Sequence, residues 1–91
     1  MNIDDSEFER EKAAFEKEVG DLLLTEKLKL VGQLQGQARD VKSHLTVIAA
    51  IRSARETAMK ENRPDIAKRL DWHEANARSR VNYHKGVNAR Q

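Results

Sequence analysis

Apolar residues recur at helical spacing along almost the whole chain. Phe8, Phe15, Val19 and Leu22 recur at spacings that share one helical face, and an amino-terminal helix is expected over residues 6–19. From Leu24 the pattern sharpens. Leu24, Val31, Ala38 and Leu45 lie seven apart, Leu34, Val41 and Ile48 interleave as a second row, and Ile51 runs beside it. This alternation of three and four predicts a helix pressed lengthwise against another helix, the signature of a coiled coil. Only Lys27 breaks the first heptad. The rows keep their phase through Gly32 and Gly36, which predicts one long helix over 21–61 with soft points at the two glycines. A loop at the glycines would instead give a three-helix bundle. Beyond Leu45 a second stripe of Val47, Ile51, Ala54 and Ala58 runs beside Leu45, Ile48 and Met59, so this half of the helix is expected to meet two neighbours.

Local signals mark the breaks. Ser6 followed by Glu9 reads as a capping box, in an acidic cluster that suits the positive end of a helix dipole. Gly20-Asp21 is a candidate terminator and cap. The strongest stop is "KENRPD": the residue before a proline is pushed out of the helical region, and Pro64 fits a first helical turn. A returning helix is expected over 64–84, with Gly86 just past its end and 86–91 frayed. The fold class expected is therefore all-α: a long helix and an antiparallel returning helix forming a helical hairpin, an acidic helix before them, and dimerisation to complete the core. The seam for a second copy is Leu24, Val31, Leu34, Val41, Leu45, Ile48 and Ile51.

The last helix has three faces. Ile66, Leu70, His73, Ala77, Val81 and His84 form its apolar seam, so both histidines are expected at the hairpin interface, hydrogen-bonding across it. Trp72, Asn76, Ser79 and Tyr83, flanked by Arg69 and Arg80, form a second face. Paired aromatics with arginine and an amide are what partner-binding surfaces are rich in. Asp71, Glu74, Arg78 and Lys85 read as solvent-facing charge, with Glu74 and Arg78 paired one turn apart.

Composition narrows the possible functions. The chain has 91 residues, 35% of them charged and 4% aromatic, with no cysteine and a formal net charge of +2. It is too charged and aliphatic for a sandwich or barrel. Without cysteine there is no disulfide framework or thiol nucleophile, and no signal-peptide pattern opens the chain, so a cytoplasmic setting is expected. No apolar run is long enough for a membrane span. Charge is uneven: residues 1–21 hold eight acidic and three basic side chains, whereas 22–91 hold seven acidic and fourteen basic. Either an anionic partner meets the basic end or the two ends pack together.

No catalytic or cofactor motif is present. Gly32 and Gly36 lack the lysine and hydroxyl of a phosphate loop, and no nucleophile has a recognisable base. Asp40 and His44 make at most half a metal site, while His73 and His84 lie about 16 Å apart along one helix. The function expected is non-catalytic binding of another protein through helix faces, as an adaptor, regulator or inhibitor and as a homodimer. No cofactor, metal, membrane or small-molecule substrate is expected. Nucleic-acid binding by the basic carboxy-terminal helix is the alternative, although Lys68, Arg69, Arg78, Arg80 and Lys85 scatter around the helix rather than forming a strip. A virion or secretion assembly component is a further alternative.

Overall fold

The most apolar stretch of the chain becomes its central element. In the computed structural model, which describes residues 5–90 with side chains at Ser6 and 9–86, four helices follow in order: α1 (Asp5–Val19), α2 (Leu24–Gln37), α3 (Val41–Lys60) and α4 (Pro64–Arg90). The described residues contain no strand. Each of the other helices packs on α3. From Leu45 to Ala54 every residue of α3 except Thr46 is buried, as expected of a helix with neighbours on all sides. Small side chains at Ala49, Ala50, Ser53, Ala54 and Ala58 let those neighbours approach, and Val47, Ile48 and Ile51 fill the space between them. Each fully buried aliphatic side chain contributes about 1.5–3 kcal/mol.

The packing directions follow from cross-helix pairs. Glu9 and Lys12 of α1 bind Arg52 and Glu56 of α3, so α1 runs parallel to α3. Lys27 near the start of α2 reaches Thr57 near the end of α3, so α2 runs antiparallel. Arg55–Asp71 and His44–His84 set α4 antiparallel as well. The result is a helical bundle built around α3, 44 × 25 × 24 Å in extent.

The long helix expected over 21–61 is two helices, and the break does not fall at the glycines. Gly32 and Gly36 lie within α2, and the chain turns at residues 38–40. Ala38 is extended (φ −68°, ψ 129°), and Asp40 caps α3. The Asp40 carboxylate accepts from the Ser43 backbone N–H at 2.8 Å, while the Ser43 hydroxyl accepts from the backbone N–H groups of Asp40 and Arg39. This reciprocal cap satisfies donors that a continuous helix would have paired internally. Those hydrogen bonds from Ser43 hold the Asp40 carboxyl below the usual carboxylate range.

The other ends differ less from expectation. α1 opens at Asp5, one residue before the expected cap Ser6, and Phe8 lies outside the described side chains. At Gly20 a Cβ would sit 2.7 Å from the Glu16 carbonyl oxygen, so the turn into α2 requires glycine. α3 ends in a Schellman motif: Arg63 N–H bonds to Ala58 O and Asn62 N–H to Met59 O, with Asn62 left-handed at φ 57°. α4 begins at Pro64 and continues past Gly86 to Arg90, so Gly86 does not terminate it.

Folding α2 back onto α3 changes what the heptad rows do. Leu24, Val31, Leu45, Ile48 and Ile51 are buried inside one chain, with Leu34 and Val41 partly buried against the same cluster. The rows expected to face a second copy instead face each other. Lys27, the one misfit in the first heptad, is only 3% exposed and donates to the Thr57 hydroxyl at 3.0 Å.

Candidate protein interface on α4 and the α2–α4 furrow

α4 holds its outward side chains in place by anchoring the opposite flank. Leu70, Ala77 and Val81 enter the core, and Ile66 packs against it. A further anchor is electrostatic. Glu74, 8% exposed, accepts from Arg52 Nε at 3.0 Å, and the same guanidinium donates from Nη1 to Glu9 at 2.7 Å. One buried arginine thereby ties α1, α3 and α4 together. Arg55 reaches Asp71 at 2.7 Å and Glu74 at 3.6 Å, while Arg78 lies 3.9 Å from Glu74. The face expected to be plain solvated charge is thus a linking network, because Glu74 sits where α4 meets α3. Sequence could show the Glu74–Arg78 spacing but not the arginines arriving from another helix.

The structure places the residues of the aromatic face at the surface. Arg69, Trp72, Asn76, Ser79, Arg80 and Tyr83 are all exposed, Trp72 at 65% and Tyr83 at 68%. Three helical turns, about 16 Å, separate the two rings along one side of α4. Each meets the histidine that follows it edge-on: Trp72 with His73 at 5.2 Å between ring centres, and Tyr83 with His84 at 5.5 Å.

Both histidines are half-buried as expected, but only His73 hydrogen-bonds across to the preceding helices, and the two meet different helices. His73 Nδ1 hydrogen-bonds with the Gln35 side-chain amide of α2 at 3.2 Å. His84 stacks on His44 of α3, with ring centres 5.1 Å apart. Burial, and then the neighbouring His84 and Arg80, hold the His44 imidazole below its ordinary pKa, with Asp40 opposing. Among the described residues no group of three His, Cys, Asp or Glu side chains is arranged to hold a metal ion.

Trp72 also borders a feature that sequence reasoning missed. α2 and α4 both lie on α3 without packing closely on each other, and a furrow runs between them. Its wide section, about 520 Å³, is lined by Leu28, Val31, Gly32, Ile66, Arg69 and Leu70, among others. A narrower section of about 340 Å³ includes Gly36, His44, Trp72, Asn76 and Arg80. Gln35 and His73 line both, so their hydrogen bond marks the join. At the other end, Leu23, 68% exposed, extends the furrow past Leu28 and Ile66. A two-helix hairpin would offer little such concavity; the turn at residues 38–40 creates it. The only sequence trace was the pair of glycines four apart, read as weak points rather than as an open wall.

No family model, no curated protein and no solved structure matches the chain. No helix among the described residues is long and apolar enough to cross a membrane.

Proposed function

We propose that this protein is a non-catalytic binding module, an adaptor, regulator or inhibitor, that grips another protein through the outer face of α4. One observation carries the reading: Trp72 and Tyr83 stand about two-thirds exposed on one side of a helix whose other flank is anchored in the core. Burying a large aromatic side chain is worth about 1.5–3 kcal/mol, which this fold forgoes twice. Arg69, Asn76, Ser79 and Arg80 surround the rings with polar groups, the mixture found at binding hot spots. Self-association would use this same face, because the aliphatic rows expected to mediate it are buried within one chain.

The test replaces Ser79, which lies between the two rings, with a photoactivatable benzoylphenylalanine and irradiates the protein in native lysate. A discrete cross-linked protein is expected, and it should disappear when Trp72→Ala and Tyr83→Ala are combined. Since both side chains are exposed, that pair should leave thermal stability within about 0.5 kcal/mol per substitution. Equal cross-linking by the double variant would remove the proposal. A nucleic-acid ligand would show instead as binding that collapses steeply with salt and weakens on replacing Arg78 and Arg80. Arg78 is already engaged by Glu74, which favours the protein reading.

A further inference from the structure

We propose that the furrow between α2 and α4 receives an acidic amphipathic helix of the partner protein. This rests on reading the α4 face as a protein-binding surface, and it names what that surface binds.

Charge identifies the occupant. On α3, α4 and the turn between them, Arg52, Arg55, Arg63 and Arg78 each lie within 4.0 Å of a carboxylate. Arg69 and Arg80, which border the furrow, form no salt bridge among the described residues and are exposed. The narrow section has no carboxylate in its lining. It contains His44, which is 4% exposed and whose ring makes no hydrogen bond among the described residues. An imidazole that lines the furrow with no hydrogen bond of its own, beside an arginine and a tryptophan, is a place for a carboxylate to accept a hydrogen bond. The wide section supplies the apolar counterpart through Leu28 and Ile66, with Leu23 at its end.

Shape points to a helix. The furrow follows α4 from Ile66 to Arg80, about 21 Å, the length of about 14 helical residues. An extended peptide would need backbone partners, which a wall of helices does not offer, whereas a helix pairs its own. On the α2 side, a Cβ at Gly32 or Gly36 would meet nothing within 4 Å, and neither glycine has a positive φ. Glycine is unfavourable in a helix interior, and nothing inside this chain requires it at these positions. The two bare positions let a partner's backbone come close. A second copy offers the furrow no free acidic helix. The copy's acidic α1 is already held by Arg52 and Lys12 contacts to its own α3.

Trp72 is the sole tryptophan and stands at the furrow's edge, so its fluorescence reports occupancy directly. The full chain is titrated with a designed helical peptide of about 14 residues carrying a leucine stripe flanked by glutamates. Parallel titrations use the same peptide with lysine for glutamate, and single-stranded oligothymidylate. A blue shift is expected with the glutamate peptide, which should bind at least about tenfold tighter than the lysine version. Arg69→Glu with Arg80→Glu should reverse that order. Gly32→Gln with Gly36→Gln should abolish binding while raising the melting temperature, which separates a blocked furrow from a damaged fold. Equal binding of the two peptides, tighter binding of the oligothymidylate, or unchanged binding by the glycine variant would overturn the inference. If these failures occur while the Ser79 cross-link still depends on Trp72 and Tyr83, the α4 surface stands and only the acidic helix falls.

Discussion

At the residue scale, Arg52 and Glu74 matter most to the fold. Their side chains are about one-tenth exposed and bonded at 3.0 Å, so each neutralises a charge that has left water. A buried pair is often no more stabilising than apolar replacements of similar size, yet losing one partner strands the other. Arg52→Ala should therefore cost about 1–3 kcal/mol, read by urea unfolding, because Glu74 keeps only its longer contacts to Arg55 and Arg78 and Glu9 loses its link to α3. Arg52→Met combined with Glu74→Leu should recover most of that loss. A double variant as unstable as Arg52→Ala would contradict this account. Lys27 is the opposite case, a buried amine held by one hydroxyl, which the fold tolerates where heptad spacing asked for an aliphatic residue.

At the scale of the element, glycines that look alike in sequence have opposite roles. Gly20 closes the α1–α2 turn against the Glu16 carbonyl, whereas Gly32 lies inside α2 and Gly36 in its last turn, both facing open space. Gly32→Ala should stabilise the protein by about 1 kcal/mol and Gly36→Ala by less, because alanine is the better helix former and the difference is largest in a helix interior. Gly20→Ala should destabilise it, since the added methyl meets backbone. Thermal melts of the three single variants check the contrast, and a uniform direction of change would refute it. The α2–α3 break shows a similar division of labour. The Asp40–Ser43 cap starts α3 firmly, and α2 simply stops at Ala38 before the chain reverses.

Across the whole molecule, the His44–His84 stack joins the first turn of α3 to the far end of α4. His44 faces His84 and Arg80 of α4 and Asp40 at its own helix start, and burial, with His84 and Arg80 beside it, outweighs the carboxylate. Its native pKa lies below the ordinary 6.5, so the unfolded chain binds the proton first as pH falls. The stability involved is complete above that value. It declines between 6.5 and the lower native pKa, by at most about 1.4 kcal/mol per pH unit. Melts from about pH 7.5 to about pH 5 should show this loss, and His44→Phe, which keeps a ring in the stack, should flatten it. An unchanged slope in that variant would place the acid sensitivity elsewhere.

By itself the sequence determined the helical class, the stop at Pro64 and the distinction between the Leu70–Ala77–Val81 flank of α4 and its aromatic side. These follow from spacing, capping and proline stereochemistry, which act over a few residues. Tertiary structure alone decided that the chain reverses near Asp40, that Glu74 is buried among arginines, that His84 stacks on His44, and that a furrow opens beside Trp72. Heptad phase is the same whether Leu24 to Ile48 lies along one helix or folds into two helices facing each other. Only the Asp40–Ser43 spacing hinted at the second arrangement. Pairings such as Arg52–Glu74 depend on the register between distant segments, and that register is set by how the buried side chains of α3 fit against three neighbours at once.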